Sequence, residues 1–124
     1  MKNLFDDLNP NQQDAVKCIN GPLLILAGAG SGKTRVITYR IAHLLQNGVN
    51  SWNILAMTFT NKAAAQMRER INNLAGQSAS DIWISTYHSF CARILRIEAG
   101  HAGLNKDFTI YDDDDSKKIV EASL

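Results

Sequence analysis

The chain has 124 residues, enough for one compact domain, with 45% hydrophobic and 20% charged residues, an ordinary globular composition. No apolar run approaches the ~18 residues a membrane span needs, and the two acids within residues 1–7 argue against a signal peptide. The formal net charge of +1 is unevenly spread: residues 1–104 balance to +4 and residues 105–124 to −3, which places any anion-binding surface in the first four fifths.

Asn9 and Pro10 read as an N-cap followed by proline at the first helical position. The helix they open carries Ala15, Val16 and Ile19 on one face, and Asn20-Gly21-Pro22 ends it. Leu23-Leu24-Ile25-Leu26-Ala27 is a continuous apolar run between turn residues, the pattern of a strand buried on both faces. A glycine-rich turn leads into a helix with Ile37, Ile41, Leu44 and Leu45 at helical spacing, closed by Asn47-Gly48. Residues 54–59 predict a second buried strand. Residues 62–74 predict an amphipathic helix with Ala63, Met67, Ile71 and Leu74 inward. Residues 82–85 predict a short third strand, and residues 88–99 a helix with Phe90, Ile94 and Ile97 on one side. This alternation implies right-handed βαβ units and a parallel sheet flanked by helices, an α/β fold.

The remaining features read as structural. Cys18 and Cys91 lack CxxC spacing, so they read as buried free thiols in a reducing cytoplasm. His43 and His101 carry no motif. Arg68, Arg70, Arg93 and Arg96 read as solvated helix faces. The run Asp112-Asp113-Asp114-Asp115 lacks the alternation and glycine of a calcium loop, and reads as the cap of a helix from Ser116.

Ala27-Gly28-Ala29-Gly30-Ser31-Gly32-Lys33-Thr34 carries the chemistry. It lies between the first predicted strand and an amphipathic helix, the context that defines a P-loop. Its glycines let successive N–H groups converge into an anion nest, and the helix adds its positive end. Lys33 supplies a point charge for β- and γ-phosphate oxygens, and Thr34 supplies a hydroxyl for Mg²⁺. The general pattern has glycine where this chain has Ala27, so the first turn must accept a Cβ.

Four segments, in order, carry a family resemblance. Leu8-Asn9-Pro10-Asn11-Gln12-Gln13-Asp14-Ala15-Val16 resembles the Q motif of superfamily 1 DNA helicases, and the alanine-led loop through Arg35 resembles their motif I. Thr58-Phe59-Thr60-Asn61-Lys62-Ala63-Ala64 is similar to motif Ia. Ser85-Thr86-Tyr87-His88-Ser89-Phe90 is similar to motif Ib, with Tyr87 where phenylalanine is commoner. The pattern is that of the UvrD/Rep/PcrA branch.

The resemblance implies a partial RecA-like P-loop domain. Residues 1–124 would form the N-terminal part of the first ATP-binding domain of a longer helicase, and residues 105–124 the start of an inserted helical subdomain. Gln12 would read the adenine edge and Arg35 would lie on the adenine face. Ala27 to Thr34 would hold ATP and Mg²⁺, with Lys33 and Thr34 catalytic in the complete enzyme. Phe59, Asn61, Lys62, Thr86 and His88 would face single-stranded DNA, since ligands of a parallel sheet gather beyond the carboxyl ends of its strands.

Structural readings stand beside these: Phe59 as strand-end core, His88 as a partly buried satisfied histidine, Asn61 and Thr86 as helix caps. No D-E-x-x motif II, no motifs III to VI and no arginine finger occur in the sequence. The implied partners are single-stranded DNA, single-strand/duplex junctions and the remaining helicase domains, in a cytoplasmic repair or replication enzyme. A nuclease-coupled recombination helicase and a stand-alone nucleotide- or DNA-binding module are the alternatives.

Overall fold

The first helix, α1 (Pro10–Lys17), begins where Asn9 and Pro10 predict. Asn9 Oδ1 accepts from the Gln12 N–H at 2.9 Å, and the Gln12 side-chain oxygen accepts from the Asn9 N–H at 3.0 Å. This reciprocal capping box satisfies two otherwise orphaned helix-end donors. The computed structural model describes residues 3–28, 30 and 32–124, and these form two compact units, Met1–Tyr87 and His88–Leu124.

In the first unit, α1 packs on α2 (Lys33–Gln46) through a buried cluster of Leu8, Val16 and Val36. Two polar ties reinforce the packing. Gln13 donates its side-chain amide to the Phe5 and Leu8 carbonyls, both at 3.0 Å, holding the 3-10 turn Leu4–Asp7 against α1. Arg40 on α2 donates twice, at 3.1 and 2.8 Å, to the carbonyl of Cys18, the C-cap of α1. A charged donor on a helix-terminal carbonyl complements the helix dipole.

Strand β1 (Leu55–Thr58), helix α3 (Asn61–Ala75) and strand β2 (Trp83–Thr86) form the predicted β–α–β arrangement. The strands are parallel and pair from Leu55 with Trp83 through Thr58 with Thr86. Ile41 of α2, Ile54 and Ala56, the α3 residues Ala64, Met67 and Ile71, and Ala79, Ile82 and Ile84 form the core between them. Arg68 is exposed, as expected of a solvated helix face, and its guanidinium also donates to the Ile84 carbonyl at 2.8 Å, anchoring α3 to β2.

Several expectations are corrected. Residues 23–27 form no strand, and Leu24 and Leu26 are 80% and 86% exposed. A run apolar on both sides is stable as a strand only when neighbours take up its N–H and C=O groups. Among the described residues, β1 and β2 pair with each other and not with this run. The helix α1 stops at Lys17, so Ile19 lies beyond it. Ile37 is 42% exposed although it shares a face of α2 with Ile41 and Leu44, the three lining one cavity beside Ile25 and Leu55. Cys91 is exposed and Cys18 partly buried, both as free thiols.

The second unit contains helix α4 (Tyr87–Ile97) from His88 onward, and α5 (Asp113–Ser123). Arg96 again does more than face solvent: it donates to the Lys106 carbonyl at 3.1 Å and lies 4.5 Å from the Phe108 ring centroid, a cation–π contact. The acidic run caps its helix as predicted, but α5 starts three residues earlier than Ser116. Asp112 is the N-cap, its carboxylate accepting from Asp115 N–H at 2.8 Å, and the next three aspartates fill the first turn. No helix among the described residues is long and apolar enough to cross a membrane.

Ile71 is fully buried at the centre of the first unit. Ile71→Ala is expected to cost about 2–5 kcal/mol and Ile71→Val about 0.5–1.5 kcal/mol, read from urea unfolding. Equal, negligible losses would show that α3 is not packed as described.

Candidate functional site

At its described glycines, the loop that leads into α2 takes conformations that glycine permits. Gly30 has φ +76° and Gly32 φ +83°, the left-handed region that costs an L-residue about 1–2 kcal/mol. No described non-glycine residue has a positive φ. Ala27 therefore keeps an ordinary backbone, and its Cβ is compatible with the turn. Gly32 is the N-cap of α2 and Lys33 and Thr34 its first residues, both exposed. Ala29 and Ser31 lie outside the described residues.

A cleft of about 780 Å³ opens at this helix end. Gln12, Gly30, Gly32, Lys33, Thr34 and Arg35 all line it, so the structure brings together residues from the first and second sequence motifs. The docking of α1 on α2 is responsible. It sets the Gln12 side chain against the loop, where a Cβ added to Gly32 would lie 3.0 Å from Gln12 Nε2. Arg35 Nη1 reaches the Asp7 carbonyl at 3.4 Å, a long contact that leaves the guanidinium at the cleft wall. Ala27 and Gly28, the first two loop residues, are exposed.

Thr38, Tyr39, Arg70 and Asn73 also line the cleft, with no sequence motif to mark them. Tyr39 lies one turn after Arg35 on the same helix face, a spacing that marks it, and donates its hydroxyl to Asp7 Oδ2 at 3.0 Å. Arg70, read as a solvated residue of α3, lines the same cleft and adds positive charge. Sequence spacing gives no sign of this, because it depends on how α3 packs on α2.

A second cluster lies at the carboxyl ends of β1 and β2. Phe59 is 89% exposed, which rules out the strand-end core reading. Its ring lies 5.2 Å from that of Tyr87, which is also exposed, with the planes inclined at 40°. Tyr87 is the aromatic that the sequence reading quoted without assigning a role. Asn61 and Lys62 are exposed on the first turn of α3. The cap of α3 is Thr60, whose hydroxyl accepts from the Ala63 N–H at 3.1 Å, so Asn61 is not the cap. Thr58 in turn donates its hydroxyl to the Thr60 carbonyl at 3.0 Å. Thr86 is only 6% exposed. His88 is exposed rather than buried, and opens the second unit.

This combination is that of a partial RecA-like α/β domain with a glycine-rich turn at a helix start and an exposed aromatic pair at the sheet edge. The family model for the UvrD/REP helicase N-terminal domain matches residues 8–124, and the chain belongs to that family. It is 54% identical over 122 residues to the ATP-dependent DNA helicase PcrA of Bacillus subtilis (strain 168), covering 98% of this chain and 16% of that protein. It is 52% identical over 125 residues to PcrA of Staphylococcus aureus (strain Mu50), covering 100% of this chain and 17% of that protein. The Staphylococcus epidermidis PcrA matches with the same identity and coverage. The chain thus spans about one sixth of the length of these relatives.

The loop geometry separates two glycines. Nothing lies within 4 Å of a Cβ on Gly28, whereas a Cβ on Gly32 meets both a positive φ and Gln12 Nε2. Gly32→Ala is expected to lower the melting temperature by several degrees, given about 1–2 kcal/mol of backbone strain. Gly28→Ala should leave it nearly unchanged. Differential scanning fluorimetry on both variants checks this; equal melting temperatures would contradict the loop geometry.

Proposed function

We propose that this chain is the nucleotide-binding N-terminal portion of an ATP-dependent DNA helicase that translocates on single-stranded DNA in repair or replication. The observation that carries the reading is the convergence of Gln12, Gly30, Gly32, Lys33, Thr34 and Arg35 on one cleft, in a chain of the UvrD/REP helicase family. The cleft fits a nucleotide phosphate chain and its metal. Gly30 and Gly32 have the positive φ that an anion nest uses, and α2 presents its positive end there.

Each residue then has a task its chemistry suits. Loop N–H groups and the Lys33 ammonium bind β- and γ-phosphate oxygens, and the Thr34 hydroxyl is the residue for Mg²⁺. Bound Mg²⁺ supplies charge neutralisation on the phosphates. Gln12 reads the base with an amide that both donates and accepts, and Arg35 offers a planar cation for its face. Phe59 and Tyr87 stack bases whatever their identity, while Asn61, Lys62 and the exposed His88 contact the backbone. Thr86, being buried, acts by holding the strand end rather than by touching DNA. Residues 105–124 begin an inserted helical subdomain, and the exposed Leu24 and Leu26 are covered by strands of the longer protein. The free thiols Cys18 and Cys91 suit a cytoplasmic enzyme.

The chain lacks a D-E-x-x motif, so it binds nucleotide and turns it over negligibly. Equilibrium binding of a fluorescent ATP analogue with Mg²⁺ should weaken about tenfold or more in Lys33→Ala, the scale of a lost charge-assisted hydrogen bond. Multiple-turnover ATP hydrolysis abolished by Lys33→Ala would contradict the assignment of this chain as catalytically incomplete. Fluorescence anisotropy with labelled oligothymidine tests the DNA track. Phe59→Ala should cost about 1–3 kcal/mol without changing the salt dependence. Lys62→Ala should weaken binding and flatten the salt slope by one phosphate contact. If neither variant changes binding, these segments are not the track.

A further inference from the structure

The capping box of α1 does more than end a helix. Its N3 residue is Gln12, the same side chain that lines the nucleotide cleft. A glutamine amide is nearly symmetric in shape, with oxygen and NH₂ exchanged by a half-turn. Left alone, it can satisfy a purine amino group in one orientation and a purine carbonyl in the other. Here the Asn9 N–H donates to Gln12 Oε1 at 3.0 Å. A half-turn would aim the Gln12 NH₂ at that N–H, donor against donor. The nitrogen end lies toward Gly32, where an added Cβ would come within 3.0 Å of Nε2. The amide is therefore held with a defined oxygen end and a defined nitrogen end.

We propose that the main-chain N–H of Asn9 is the positioning group that fixes the orientation of the Gln12 amide, and so makes this cleft select purines with a 6-amino over a 6-oxo group. This rests on the adenine-binding reading of Gln12 above. Its chemistry is direct. A carbonyl oxygen accepts two hydrogen bonds, so accepting the Asn9 N–H is compatible with accepting from an exocyclic amine. A 6-oxo purine instead sets its oxygen against Oε1, and relief requires the flip that the Asn9 N–H opposes. Selectivity then comes from an unfavourable contact with the wrong base as much as from a favourable one with the right base.

The backbone at Asn9 allows the N–H to be replaced by a proline ring carbon, which both deletes the donor and crowds Gln12 Oε1. Asn9 has φ −73° and ψ 167°, and Leu8 before it has φ −116° and ψ 143°. Proline accepts that φ, and the extended conformation of Leu8 is the one that precedes proline. Asn9→Pro therefore deletes the donor to Gln12 Oε1 without requiring a new backbone course. Asn9→Ala removes the same capping side chain but keeps the N–H, and serves as the matched comparison.

The experiment is competition of ATP and inosine triphosphate against a fluorescent ATP analogue on the 124-residue chain and its variants, in Mg²⁺ buffer. Inosine differs from adenosine at position 6 and carries no 2-amino group, so the readout isolates the 6-position. The unaltered chain and Asn9→Ala should prefer ATP by about five- to tenfold, the scale of one neutral hydrogen bond. Asn9→Pro should bring the ratio to within about twofold of unity while the probe still binds, and Gln12→Ala should do the same. Thermal unfolding of Asn9→Ala and Asn9→Pro reports the shared loss of the cap, which does not itself move the ratio. If Gln12→Ala abolishes the preference but Asn9→Pro retains it, the positioning role is overturned and the base reading stands. If Gln12→Ala leaves the preference intact, or neither nucleotide binds, the base reading falls and the positioning role with it.

Discussion

The burial of Val16 against Val36 and Leu8 is the contact on which the site depends. Val16 is fully buried, although it lies on a helix of only eight residues. A helix that short is marginal alone and takes its stability from packing. Docked on α2, it is held at its start by the Gln13 amide on two carbonyls and at its end by the Arg40 guanidinium. The outcome is a fixed distance between Gln12 and Gly32. The proposed base- and phosphate-binding residues thus sit on two elements sharing one small apolar cluster, and loosening the cluster would separate them.

The sheet obeys a different logic. β1 and β2 bring Phe59 and Tyr87 together because parallel strands in register end at the same level. Thr58 and Thr86 face each other at the last register position, both buried, and the chain emerges from them into exposed residues. The polar ties from Thr58 to the Thr60 carbonyl and from Thr60 to the Ala63 N–H fix the strand-to-helix turn in between. Aromatic exposure at Phe59 thus has a structural cause: it is the first residue past a strand end that the next helix cannot cover.

Much of this was legible in the residues. The capping signals at Asn9-Pro10 and the periodicity of residues 62–74 gave helices within a residue or two of those observed, because both are local features. The glycine requirement at Gly30 and Gly32 was legible for the same reason, since both take a positive φ. The run Leu23–Ala27 was not, because strand formation depends on neighbours and apolarity alone does not provide them. Arg68, Arg70 and Arg96 are exposed, as their helical spacing implies, but spacing gives no sign of the carbonyl, cleft or aromatic ring that tertiary packing brings within reach of each long side chain. Whether Phe59 faces core or solvent also depended on packing, and its motif neighbours could not decide it.

The most direct test of the account is a titration of the isotope-labelled chain with Mg²⁺-ATP, followed by amide-detected NMR. The account predicts saturable shifts at the backbone amides of Gly30, Gly32, Lys33 and Thr34 and at the Gln12 side-chain amide, all with one dissociation constant. The Phe59 and Lys62 amides, which belong to the other cluster, should stay unperturbed. Shifts confined to surfaces away from the cleft, or loop shifts with no response from Gln12, would contradict a single site assembled by the docking of α1 on α2.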